Sequence, residues 1–361
     1  AAKKAIDKTS GLTADQKQAA KDQIDQAVTA AKDNINKASD DTGVAAATDA
    51  GKLAIDKVSA NAAIDGALAE KNNSIDKAPN LTDGDKQSVK DKAKTVADSA
   101  KTAISNAKTV TDVESAKNTG VENIKNMPIQ TASKTKNDAN SALDTTADAA
   151  KKAIDKTSGL TADQKQAAKD QIDQAVTAAK KAIDKADSNA DVTKAINNGT
   201  VAINKDAANA AIDGALAEKN KSIDAATNLT DGDKQSVKEQ AKKAADSAKT
   251  AISSASTVGD VASAKNTGVD NINKVSIPAQ SDAKQKASAN IDDVAKAAKQ
   301  AIDNTKGLTD SEKQAAKSQV DTDAKAAKGA IDKADSNDAV TKAVNNGTVA
   351  INKDAANAAI D

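Results

Sequence analysis

Residues 1–32, AAKKAIDKTSGLTADQKQAAKDQIDQAVTAAK, return letter for letter at 149–180. A diverged third copy, AAKQAIDNTKGLTDSEKQAAKSQVDTDAKAAK, begins at Ala297, again 148 residues on. Looser copies lie between them. Five landmarks of the form Ile-Asp-x-x-x-(Gly/Asn)-Leu-Thr therefore start at Ile6, Ile75, Ile154, Ile223 and Ile302, in steps of 69, 79, 69 and 79 residues. Self-similarity at a fixed period identifies an array of units, each packed on its neighbours, and not one globular domain. The steps divide the chain into a partial long-type repeat (1–58, lacking most of its first helix), a short repeat (59–127), a long one (128–206), a short one (207–275), a long one (276–354) and the start of another (355–361). The chain begins and stops within the pattern, as a piece of a longer array would.

Regular apolar spacing sets the fold class. From Thr13 a run without Pro or Gly extends to Ala38, with apolar residues at Ala20, Ile24, Ala27, Ala31 and Ile35 and Val28 beside them. Steps of three and four make one stripe of an α-helix. Sixty-nine residues later the stripe is Val89, Ala93, Val96, Ala100 and Ile104. Side-chain size changes while the pattern holds, as packing requires. Thr13 with Gln16 fits a capping box, as do Thr309 with Glu312 and, more weakly, Thr82 with Asp85. Before each cap stands Gly11, Asn80, Gly159, Asn228 or Gly307, residue types that take positive φ easily, so this position is expected to close the preceding helix in the left-handed conformation. The leucine between them (Leu12, Leu81, Leu160, Leu229, Leu308) is expected to plug the loop from below.

A further helix follows turns such as Ser39-Asp40-Asp41-Thr42, with stripe Val44, Ala47, Gly51, Ile55 and Val58, and in the next copy Val113, Ala116, Gly120, Ile124 and Met127. Thr111 with Glu114 reads as its capping box there. Glycine recurs at Gly51, Gly120, Gly199, Gly268 and Gly347. Inside a helix it costs about 1 kcal/mol against alanine, so close helix approach is the expected compensation. The first helix of a unit shows in Ile64, Leu68 and Ile75, and in Leu143, Ala147, Ala150 and Ile154. The mixed Lys/Asp faces read as solvated surface.

Three helices per unit put the start and end of an up-down-up bundle at opposite ends. The chain thus reads as all-α, tandem three-helix bundles stacked end to end into an elongated rod of roughly 150–200 Å. Between Val44 and Ala78 there is no proline, so one junction type is expected to share a continuous helix. Pro128 and Pro278 are expected to interrupt the other. Alanine dominates the stripes and aromatics are absent, so each unit buries little area and leans on its neighbours.

The same composition excludes several functions. There is no Cys, His, Trp, Tyr, Phe or Arg, and 52 lysines balance 52 acids. Net neutrality without basic clusters, and without the groups that stack on bases or read them bidentately, argues against nucleic acid and anionic membranes. No apolar run approaches a membrane span. Without histidine, and with Asp on polar faces, no catalytic residue, cofactor site or metal site is assigned, and no enzyme activity is expected. Ser74–Lys77 is a chance Ser-x-x-Lys spacing in a Ser- and Lys-rich chain. Asp83-Gly84-Asp85, repeated as Asp231-Gly232-Asp233, lacks the rest of a calcium loop and reads as helix capping. Asn80-Leu81-Thr82 matches an N-glycosylation sequon but already serves a turn and a cap. Binding hot spots favour Trp, Tyr and Arg, so any adhesion would be weak and multivalent. A desiccation-protectant protein has similar composition but an 11-residue period, which the 69/79 alternation does not show.

The segments AIDKTSGLTADQKQAAKDQID and NTGVENI resemble the alanine-rich three-helix repeats of giant cell-wall-anchored surface proteins of Gram-positive bacteria, including the extracellular-matrix-binding type and lactobacillar adhesins. The resemblance covers essentially the whole chain. It implies a secreted, wall-attached, monomeric stalk that projects an adhesive domain, in proteins associated with adhesion and biofilm, with neighbouring repeats as its partners and weak contact with host matrix or serum protein as an alternative. No catalytic residues come with it. The segment TVTDVESAKNTGVENI is also similar to albumin-binding three-helix modules, whose aromatic residues this sequence lacks.

Overall fold

A computed structural model describes residues 1–360, which form thirteen α-helices and no strands among the described residues. They divide into two compact units, residues 1–144 with 178–198, and residues 145–177 with those from Gly199 on. In the first unit α1 (Ala2–Lys8), α2 (Ala14–Asn36) and the start of α3 (Asp41–Asp76) make one bundle, and the rest of α3 packs with α4 (Asp83–Asn106) and α5 (Val110–Asn126) as the next. The central helices are α6 (Lys134–Lys156), α7 (Ala162–Lys185) and α8 (Asn189–Asp224). In the second unit the latter half of α8 shares a core with α9 (Asp231–Ser254) and α10 (Val258–Lys274). The last bundle is α11 (Asp282–Asn304), α12 (Asp310–Lys333) and α13 (Asn337–Ile360).

The expected shared helix is present. α3 runs 36 residues without interruption, giving Ile55 and Val58 to one core and Ala60, Ile64 and Ala67 to the next. Nothing in that stretch breaks the backbone ladder, and its apolar stripe shifts face as the partner helices change. α5 instead stops at Asn126, just before Pro128, whose ring forbids the α conformation to Met127. The turn-forming segment ends at Ser133, and α6 begins.

Each core is isoleucine interleaved with alanine. Ile104 and Ile124 are fully buried beside Ala97 and Ala100 in one bundle, and Ile331 and Ile351 occupy the equivalent sites in another. The recurrent glycine is where two helices touch. A Cβ on Gly120 would lie 2.5 Å from the Ala100 Cβ, one on Gly268 2.3 Å from the Ala248 Cβ, and one on Gly347 2.3 Å from the Ala327 Cβ. Glycine on the third helix against alanine on the second permits close packing, and dispersion across that seam offsets the poor helix propensity.

Several expectations need correction. α5 is capped by Thr109 with Asp112, not Thr111 with Glu114, so the helix starts at Val110. Asn80 takes φ 65° and Gly11, Gly159 and Gly307 are likewise left-handed, but Asn228 is not; its amide Nδ2 donates to the Ala279 carbonyl instead. These residues also lie inside the loops and do not close the helices: α1 ends at Lys8 with Thr9 extended as its C-cap. Val44 is 40% exposed, whereas its counterpart Val340 is 5% exposed. Short α1 leaves the start of α3 uncovered, while α11 covers α13 at that level. In α4 the core position is Ala97, with Val96 half-buried at its edge, and Ala67 takes the core place expected of Leu68. Leu81 and Leu229 are buried under their loops, and Leu12 and Leu308 pack at the margins of their cores.

Candidate functional site

For an array, the places that matter are those that fasten one helix end to the next, and the Ile-Asp landmark is the first. Its isoleucine is core: Ile6, Ile75, Ile154, Ile223 and Ile302 are all 1% exposed or less. Its aspartate is held twice by the following helix. The backbone carbonyls of Asp7, Asp76, Asp155, Asp224 and Asp303 accept from the Nζ of Lys17, Lys86, Lys165, Lys234 and Lys313. One helical turn further, Lys21, Lys90, Lys169, Lys238 and Lys317 pair with the five carboxylates at 2.6–2.9 Å. The orphan carbonyls of a helix C-terminus carry partial negative charge, and an ammonium laid against them satisfies both the hydrogen bond and the dipole. The Lys21 ammonium holds the Asp7 carboxyl below its ordinary value. The Lys/Asp faces are therefore not only solvated surface. Other helix ends are met in the same way, by Lys57 on Ser105 O, Lys205 on Ser253 O and Lys219 on Asn273 O. A lysine is a compact point donor that suits a ring of single carbonyls, where arginine's planar fork has no bidentate partner.

The continuous-helix junction has a backbone notch. A Cβ on Gly66 of α3 would lie 2.4 Å from the Thr9 Cγ2 and 2.6 Å from the Ser10 carbonyl oxygen. Reciprocally, a Cβ on Gly11 would lie 2.4 Å from the Gly66 oxygen. Gly214 and Gly159 repeat the arrangement, with 2.4 Å from the Gly159 Cβ position to the Gly214 oxygen. Two glycines facing each other let the α1–α2 loop lie directly on the α3 backbone.

The proline-interrupted junction carries a buried polar latch. Thr82, Asp85, Ser133 and Lys136 are all buried. The Asp85 carboxylate accepts from Thr82 N (3.2 Å) and Thr82 Oγ1 (2.8 Å), closing the capping box of α4. It also accepts from the Ser133 hydroxyl, whose oxygen in turn accepts from Lys136 N and so caps α6. Lys136 Nζ reaches the Asp184 carbonyl at the end of α7, at 2.8 Å. Asp83 N donates to the Asp187 carbonyl at 2.9 Å, and the Asp83 Oδ1 accepts from Asn189 N at 2.9 Å. Asn189 also packs its side chain on Gly84, where a Cβ would lie 2.0 Å from the side-chain Nδ2. The second unit has the same latch, with Ser281 on Asp233, Lys284 on the Asp332 carbonyl and Asp231 N on the Asp335 carbonyl. Asp83-Gly84-Asp85 is thus a cap, as read, but one whose last carboxylate also fastens a second helix 48 residues away.

Burial pushes the Asp85 carboxyl up, and the hydroxyls of Ser133, Thr82 and Thr135 with the Thr82 N–H outweigh it, leaving the group below the ordinary carboxylate range. Asp233 is lowered likewise, with burial opposed by Ser281, Thr230 and the charge of Lys284. A folded value below the unfolded one means that the stabilisation is complete above the unfolded pKa and is lost as pH falls through the folded one. Both latches are therefore expected to hold from neutral pH down to about 4 and to open below it, which hydrogen exchange at Ser133–Asn137 against the α4 core checks. Uniform exchange of both segments across that range would contradict it.

Ser74, singled out for its spacing to Lys77, donates its hydroxyl to the Glu70 carbonyl within its own helix. Among the described residues, no group of three or more carboxylates is close enough to hold a metal ion, and no helix is long and apolar enough to cross a membrane.

Comparisons with known proteins agree with the repeat. The chain is 29% identical over 172 residues to the extracellular matrix-binding protein EbhA of Staphylococcus aureus strain Newman, a match that covers 45% of this chain and 5% of that protein. The extracellular matrix-binding protein ebh of strain NCTC 8325 / PS 47 matches equally, over 2% of its length. The chain thus spans a small fraction of the curated relatives it matches. No solved structure matches it. The family model described as a Domain of Unknown Function, DUF1542, matches residues 1–62, 56–132, 135–207, 204–280 and 283–359, so the chain belongs to that family, as five tandem copies of its domain.

Proposed function

We propose that the chain is a non-catalytic spacer of a bacterial surface protein, holding an adhesive region away from the cell wall to which the whole protein is anchored. The observation that carries this reading is α3, one helix that serves two successive cores and so joins two repeats through unbroken helical backbone. The repeat boundaries then fall after residues 58, 127, 206, 275 and 354. The extended-rod form of this reading predicts a maximum dimension of roughly 150–200 Å by small-angle X-ray scattering, with the cross-section of three packed helices. A particle below about 80 Å would overturn it. The spacer role is tested by exchanging these repeats, in the full-length surface protein, for an unrelated helical rod of equal length. Adhesion is expected to survive the exchange and to fall when repeats are deleted. Loss of adhesion on exchange at constant length would favour a second reading, weak multivalent matrix binding by the repeats themselves. The two relatives are named as extracellular matrix-binding proteins, which supports that second reading.

A further inference from the structure

The three long repeats carry a graded series at one core position. Val58 packs at the margin of the first core. Its counterparts 148 and 296 residues on are Asp206 and Asp354, and both are partly buried. On the preceding helix the facing register reads Ala27, Ala175 and Asp323. The pairing is therefore Val with Ala, Asp with Ala, and in the last bundle Asp with Asp. Asp323 of α12 and Asp354 of α13 are within hydrogen-bonding reach of each other, yet the Asp354 Oδ2 is buried and has no donor. Two carboxylates offer four acceptors and no proton, so contact between them is stable only when one is protonated.

We propose that the Asp323–Asp354 contact is an acid-closed lock between α12 and α13: the Asp354 carboxyl takes one proton from solvent and donates it to the Asp323 carboxylate when the bundle is tight, and loss of that proton at higher pH loosens the helices. The surroundings do not supply a countercharge. Lys317 on α12 is paired with Asp303, Lys328 with Asp292, and Lys299 of α11 with Asp321. Beyond the glycine seam α11 presents Ala298 and Ile302 to the same core, and on α13 itself the adjacent Lys353 is exposed. Burial first, then the Asp323 charge and its hydrogen bond, raise the Asp354 carboxyl above its ordinary value, and Asp206 is raised by burial alone. A folded value above the unfolded one gives stability that is fully present below the unfolded pKa and is lost as pH rises through the folded value. This is opposite in sign to the latches at Asp85 and Asp233.

Hydrogen exchange on the full chain, corrected for the intrinsic pH dependence, tests the lock. Protection of α12 and α13 is expected to grow between pH 7.5 and pH 4.5 relative to α4 and α5, by up to about tenfold for each unit by which the folded pKa of Asp354 exceeds the unfolded value. Asp354→Val, which installs the residue found at position 58, is expected to remove that gain. Asp354→Asn is expected to give at pH 7.5 the protection that the parent reaches only in acid. Equal pH dependence in the parent and in Asp354→Val would overturn the proposal. So would a gain at pH 7.5 on adding calcium alone, since the pair would then be bridged by a cation and not by a proton.

Discussion

Gly268→Ala is expected to destabilise the fourth bundle by about 2 kcal/mol, although alanine is the better helix former by about 1 kcal/mol. The added methyl would sit 2.3 Å from the Ala248 Cβ and 2.7 Å from the Ile212 Cδ1. The first of these is fixed to a helix backbone and cannot swing away, so α9 and α10 must separate and the isoleucines above and below lose contact. A thin core of alanine and isoleucine has little surplus area with which to absorb that separation. Gly329→Ala is the internal control. Gly329 also lies inside a helix, one turn from the end of α12, but nothing stands within 4 Å of its Cβ position, so the same exchange there is expected to stabilise by about 0.5–1 kcal/mol. The exchanged pair Ala248→Gly with Gly268→Ala puts the methyl back on the opposite side of the seam and is expected to recover most of the loss. Hydrogen exchange resolved by helix reads all three. Equal effects of Gly268→Ala and Gly329→Ala would remove close approach as the reason for the recurrent glycine.

That glycine was legible in the sequence because it falls on a periodic stripe beside residues of known face. So were the helices, the Thr13 and Thr309 caps and the uninterrupted α3, each resting on local signals within a few residues. What escaped lies across long separations. Lys21 finds Asp7 across a turn, Ser133 finds Asp85 over 48 residues, and Gly66 meets Gly11 only because a loop folds back on α3. No period announces such pairs, and a chain with 52 lysines and 52 acids offers a candidate partner almost anywhere. The cap of α5 was misplaced for a related reason. TVTDVE presents two threonines, each followed three residues later by an acid, and the helix takes the first pair. The inward aspartates at 206 and 354 were hidden by composition too: among so many exposed acids, only the core register marks these two as different.

Asp85→Gln is expected to separate the helix cap from the latch. At the equivalent position of the first two long repeats the residue is already glutamine (Gln16 and Gln164), and Gln16 Oε1 accepts from Thr13 N at 2.9 Å in an intact capping box. Glutamine at 85 therefore preserves the start of α4. Its one amide oxygen is spent on Thr82 N, and its longer stem carries an amide nitrogen into the space where Ser133 and Thr135 present hydroxyls to the carboxylate. A buried hydroxyl stripped of its acceptor costs about 1–3 kcal/mol, and bonds to a charged acceptor sit at the upper end of the range, so a loss of about 3 kcal/mol at this junction is expected. Exchange should quicken over Ser133–Asn137 and Asp184–Asp191, which the latch ties to α4, while the first turn of α4 stays protected. Asp85→Ala removes cap and latch together and is expected to expose both. Should Asp85→Gln leave the α6 start as protected as in the parent, Asp85 would be a cap alone, and the junction after Pro128 would be held by Lys136 and the Asp83–Asn189 contact without it. Should the predicted split appear, the array alternates two fastenings of different kind: a continuous helix, and a charged latch that acid opens.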